Sequence, residues 1–114
     1  MDFLRYMNDK EYDEDYNNCW HFVQRVFQRE KGHKLPDYPI FDTHKSFKSR
    51  LLCNVKYKEH DLRDCQEGCI VHVSALGHEH AGYAINNKQY IHKTRTGVQV
   101  ADIPAKAQIY EIIN

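Results

Sequence analysis

Two side-chain types in this chain can pair as nucleophile and base: four cysteines, at positions 19, 53, 65 and 69, and eight histidines. A cysteine attacks as its thiolate, so the informative one sits where the anion is favoured and a base is within reach. Cys19 opens the segment CWHFVQRVFQREKG. Cys19, Val23, Val26 and Phe27 follow the spacing of one helix face. A thiol in the first turn of a helix meets unpaired N–H groups and the positive end of the helix dipole, which favour its anion. Two candidate bases lie downstream. His80 opens the run AGYAI and His92 ends the run QYIHK. Joined by a two-residue Asn86–Asn87 turn, the runs form a hairpin that sets His92 opposite Ala81, directly beside His80, with strands only ~5 Å apart. A shift of one residue turns one of the two to the other face. His80 then takes the thiol proton and His92 orients its ring, which is the chemistry of nucleophilic acyl transfer.

The elements that must position these groups follow from the pattern around them. Asn17 or Asn18 is the expected N-cap of the Cys19 helix and Gly32 its C′ residue. The prolines of HKLPDYP end it in an extended turn. A second, shorter helix is expected over residues 40–52 (IFDTHKSFKSRLL). Beyond residue 53 the texture becomes alternating: CIVHV, AGYAI, QYIHK, GVQV and IYEII are rich in β-branched and aromatic residues and are separated by turn signals. Helices first and an antiparallel meander afterwards make an α+β domain, with residues 1–114 expected as one unit.

Composition narrows the function. Lys and Arg (16) balance Asp and Glu (16), so a general polyanion-binding role has no electrostatic support and no nucleic-acid partner is expected. No run approaches the ~20 apolar residues of a membrane span. The opening MDFLRYMNDKEYDEDY lacks the apolar centre of an export signal. Without such a signal all four cysteines are expected as free thiols.

The string NCWHFVQRVFQREKGHKLPDYP resembles the nucleophile helix of the NlpC-type cell-wall cysteine peptidases, particularly their short phage tail-associated branch. Cys19, Trp20, Val23, Arg25, Val26, Phe27, Gly32, Leu35 and Pro36 fall on its Cys-Trp-x-Leu-Val-Arg-x-Val-Tyr, Gly and Leu-Pro positions. EGCIVHV is similar to the family's Gly-Asp-Ile-Val strand, HAGYAINNKQYIH to its His-Val-Gly-Ile-Tyr, turn, Phe-Ile-His segment, and GVQVADI to the strand that follows. The resemblance implies a papain-like fold with Cys19 as nucleophile, His80 as base and then acid, and His92 as third polar residue. It implies oxyanion donors at the Cys19 N–H and at a preceding tyrosine, Tyr16 before Tyr12. It implies the stem peptides of bacterial peptidoglycan as substrate, most often the bond from γ-D-glutamyl to a diamino acid, with phage tail proteins as partners, delivery from a virion or from the cytoplasm, and no cofactor or metal. The chain departs from the pattern at Asn18, where Asp is usual, at Cys69 in place of the strand Asp, at Ala81 and at His78. The acids at 11–15 suit a substrate bearing an amine.

Three other readings compete. A zinc domain would draw on Cys65, Cys69, His72, His78 and His80, although Cys-x3-Cys is looser than a zinc knuckle. A catalytically silent phage assembly module would keep the fold, and a CHAP-type amidase shares the Cys-then-His order. Trp20 is expected to pack beneath the site, and His21, His33, His44 and His60 to lie on the surface.

Overall fold

A computed structural model describes residues 1–9, 18–36, 55–75 and 78–113. The expected helix over 40–52, both tyrosine candidates, the acids at 11–15, Cys53 and His44 lie outside the described residues. The described chain is an α+β arrangement of one α-helix and a six-stranded antiparallel sheet. The helix, α1, spans Cys19–Lys31. The strands are β1 (Tyr57–His60), β2 (Ile70–Ala75), β3 (His78–Ala84), β4 (Gln89–Thr94), β5 (Gly97–Asp102) and β6 (Gln108–Ile112), in the spatial order β1-β6-β2-β3-β4-β5. Short 3-10 turns at Phe3–Tyr6 and Leu62–Asp64 complete it.

Both ends of α1 are set by local chemistry. Asn18 is extended, and its side chain accepts from the N–H groups of Trp20 (2.9 Å) and His21 (3.0 Å). His21 Nδ1 in turn accepts the Asn18 N–H at 3.2 Å, closing a reciprocal cap. His21, expected as a surface residue, is therefore part of the helix start. At the other end Gly32 adopts φ 76°, a left-handed conformation that costs a residue without Cβ little, and its N–H bonds the Gln28 carbonyl. Trp20 is fully buried. Its Nε1–H donates to the Pro36 carbonyl at 2.8 Å, and Gln24 donates to the same oxygen, so the Leu-Pro turn is pinned back onto the helix.

The apolar face of α1 packs Trp20, Phe22, Val23, Val26 and Phe27 onto Ile70, Ala81, Tyr83, Ile91 and Tyr110. A second apolar cluster, Cys65, Cys69, Val71, Ala84, Tyr90, Ile103 and Ile109, gathers residues of the opposite parity, on the other face of the same sheet. Strand β1 (YKEH) escaped the sequence reading because it is a polar edge strand that pairs only with β6 and buries none of its residues fully.

The β3–β4 connection corrects the expected hairpin. Asn86 Oδ1 accepts from both Lys88 N–H and Gln89 N–H at 2.8 Å, and Ile85 N–H bonds the Gln89 carbonyl at 3.0 Å. The loop is thus three residues long, Asn86–Lys88, because an Asx-type turn takes Lys88 out of the ladder. The register shifts by one, to Tyr83↔Ile91 and Ala84↔Tyr90, so Ala81 is not the partner of His92. Continued, this register brings Gly82 opposite His92 and leaves His80 two residues away on the same face.

Candidate active site

The β3–β4 ladder is two pairs long, and before Tyr83 the strands no longer pair. Backbone alternation decides what this exposes. Ala84 bonds toward β2, donating to the Cys69 carbonyl and accepting from Gly68, whereas Ile85 bonds toward β4. By the same alternation Ala81 points its N–H toward β4, where no ladder partner awaits it. That N–H is turned on the Cys19 sulfur. The thiol at the first position of α1 therefore sits where the two strands part, against the residue that follows His80.

His80 and His92 meet at that opening. His80 Nε2 and His92 Nδ1 are 2.7 Å apart, with ring centroids 4.9 Å apart and ring planes 79° to one another. His92 is backed by Tyr90, stacked on it at 4.4 Å and 13°. Tyr90 in turn lies on Gly82, where a Cβ would run into its ring. The contact between the histidines is thus held by a stack that only glycine admits. The nitrogen left on the far side, His92 Nε2, is buried and has no partner among the described residues.

The electrostatics differ from the sequence expectation at Cys19. Burial pushes its thiol up to about 11, against which the N–H groups of Ala81, Cys19 and Trp20 act in the opposite direction. Desolvation outweighs the helix terminus, and the resting group is a neutral thiol. Burial also lowers His80, with help from nearby His72, and it lowers His92 to about 4, with His80 adding to the effect. Both imidazoles are neutral at neutral pH, so one ring donates N–H to the other across 2.7 Å. Neutral Asn18 caps the helix without placing an anion beside the sulfur.

Two features had no readable signal. Asp9 accepts from Arg25 and from Lys93 Nζ (2.7 Å), tying the segment before the helix to α1 and to β4 one residue beyond His92. Lys93 is 1% exposed, a buried cation that demands such a partner. His72 pairs with Ala81 across the β2–β3 ladder and bonds Gln108 through Nδ1 at 2.8 Å.

Two members of the zinc set point to opposite faces of the sheet. Cys69 belongs to the cluster on the sheet face away from α1, while His72 has the parity of Ile70 and Tyr83 and faces the helix side. Among the described residues no group of three or more His, Cys, Asp or Glu is placed to share a metal ion. No helix among them is long and apolar enough to cross a membrane.

The chain thus carries a cysteine at the start of a helix packed on an antiparallel sheet, and two bonded histidines on neighbouring strands of that sheet. Among known families, the model of the NlpC/P60 family matches residues 10–112, and the chain belongs to that family. No curated protein matches it as a relative. Family membership points to cell-wall peptidase activity with peptidoglycan as substrate.

Proposed function

We propose that the chain is a single papain-like NlpC-type domain that hydrolyses peptide bonds of peptidoglycan stem peptides through Cys19, His80 and His92. The bond from γ-D-glutamyl to a diamino acid is the expected target, and a phage tail the expected setting. One observation carries this reading: the 2.7 Å contact between His80 Nε2 and His92 Nδ1, beside the residue whose N–H meets the Cys19 sulfur.

The contact supports one division of labour between the ring nitrogens. With Nε2–H of His80 given to His92, its Nδ1 is the nitrogen open to the thiol proton. Because the thiol is pushed up and the imidazole down, the thiolate forms by proton transfer to His80 as substrate displaces water, not as a standing ion pair. The Cys19 sulfur adds to the carbonyl carbon, and the N–H of Cys19 with Tyr16, or Tyr12, holds the oxyanion. His80 returns the proton to the leaving amine, then draws a proton from the water that releases the acyl group. His92 Nδ1 accepts from the imidazolium at the moment it is charged, when a hydrogen bond is strongest.

Digestion of purified muropeptides by the wild type and by Cys19→Ala, followed by mass spectrometry, tests the reading. The wild type is expected to cut a stem peptide bond, Cys19→Ala to leave it intact, and a chelator to change nothing. Cleavage by Cys19→Ala, or its loss on chelation, would overturn the thiol mechanism. Silence of both proteins on muropeptides and whole sacculi would favour an assembly module.

A further inference from the structure

The remaining described thiols lie on the sheet face opposite α1, in a pair. Cys65 follows the 3-10 turn Leu62–Asp64, and three residues bring the chain back to Cys69, with Gly68 at φ 95° making the reversal. Cys69 N–H bonds the Gln66 carbonyl at 3.2 Å, and Ala84 N–H bonds the Cys69 carbonyl at 2.9 Å, so the return is fixed to β3. Both side chains are buried in one cluster, 4% and 1% exposed, and each thiol is the strongest influence on the other's ionisation.

The pair is asymmetric. Cys65 Sγ lies 3.8 Å from the Asn86 carbonyl and 3.9 Å from the Gln66 carbonyl, acceptors that keep its proton in place. The neighbouring Cys65 thiol and the Gln66 backbone favour the Cys69 anion, and the His60 imidazole adds to the same direction, against burial and the Glu111 carboxylate. His60 and Glu111 are themselves bonded at 2.6 Å across β1 and β6. The result holds Cys69 down, while Cys65 is pushed far up. Cys69 also lines a cavity of about 300 Å³ with Phe27, Lys31, His33 and Glu111, at the end of α1 remote from Cys19, so a small reagent has a way in.

We propose that Cys65 and Cys69 form a second thiol site, in which Cys69 attacks a hydroperoxide and Cys65 resolves the product to a Cys65–Cys69 disulfide. In the first step the Cys69 sulfur bonds the terminal peroxide oxygen, the O–O bond breaks and the alcohol or water leaves, which makes the sulfenic acid. In the second the Cys65 sulfur displaces that oxygen, which departs as water with the Cys65 proton. Two electrons pass from the thiol pair to the peroxide, and each oxygen is accounted for as alcohol and water.

Both cysteines fall in one tryptic peptide, residues 64–88, which makes the test direct. The full chain carrying Cys19→Ser is treated with hydrogen peroxide, alkylated, digested without reductant and weighed. Expected is a peptide two hydrogens lighter and carrying no alkyl group. In the Cys65→Ser form the same peptide is expected one oxygen heavier, with a diketone probe trapped at Cys69. In the Cys69→Ser form Cys65 is expected unoxidised. Two alkylated cysteines after a peroxide dose that oxidises Cys19 in the wild type would overturn the proposal, as would sulfenic acid formed at Cys65. The untreated-cysteine arm needs no substitution in the pair, so a misfolded variant does not blunt it. None of these readouts depends on peptidase activity.

Discussion

Cys19 and Cys69 begin from the same ordinary thiol and end on opposite sides of it. Cys19 is pushed up to about 11 and Cys69 is held below its ordinary value by its neighbours, although each is almost wholly buried. Burial opposes the anion at both places. The difference lies in what replaces water: a few backbone N–H groups at Cys19, against a neighbouring thiol, the Gln66 backbone and a nearby imidazole at Cys69. Position at a helix start is therefore not sufficient to make a thiolate. At Cys19 the thiol stays neutral, and the proposed mechanism leaves its proton to His80. At Cys69 the neighbouring thiol already favours the anion.

Substitutions separate the two corners. Cys19→Ala is expected to abolish muropeptide cleavage, while the fate of peptide 64–88 under peroxide stays unchanged. His80→Ala is expected next, with a loss on the order of 10²- to 10⁴-fold in kcat. His92→Ala removes one hydrogen bond to a charged ring, about 1.5–3 kcal/mol, or roughly 10- to 100-fold in kcat. An equal loss for His80→Ala and His92→Ala would show that they act as one unit rather than as base and orienter.

Gly82→Ala sharpens the comparison because it touches neither thiol. Its methyl group enters the Tyr90 ring that backs His92, so kcat should fall together with stability, by about 1–3 kcal/mol in denaturant melts. Retained activity would mean that the stack does not hold the histidine.

The pH dependence follows from the same contrast. His80 must be neutral to accept a proton and is held below 6.5, so the acid limb of kcat/KM should lie below pH 6.5. Stability carries the same sign. His92 binds its proton less readily folded, at about 4, than unfolded, at 6.5. The stabilisation is complete above pH 6.5 and is lost as pH falls toward 4, on the order of 2–3 kcal/mol. Thermal melts across that range measure it, and His92→Asn should flatten the slope. The smallest expected effect is that of Asn18→Ala, about 1 kcal/mol from the lost cap. Its loss of activity should not exceed its loss of fold.

Much of this was legible locally. The apolar spacing of Cys19, Val23, Val26 and Phe27 and the glycine at 32 define α1 and its end, since helix faces and caps depend on residues a few positions apart. The runs at β2 to β6 read as strands for the same reason, whereas polar β1 carries no alternation of its own. His21 went unnoticed as a cap because histidine is an unusual partner at that position.

The histidine pair shows where such reading stops. The chain names His80 and His92, yet the two-residue turn it suggests at Asn86–Asn87 gives a register in which residues directly opposite share a face and their neighbours do not. The Asx-type loop moves the ladder by one residue and lets the two rings meet. Burial is likewise a property of the assembled sheet. A helix start promises an activated thiol, and only the burial of Cys19 in the assembled core turns that into a raised one. The contacts between Asp9 and Lys93 and between His60 and Glu111 join segments whose spacing carries no period. Local order in this protein is written in neighbouring residues. The ionisation of its thiols is decided by which distant groups take the place of water.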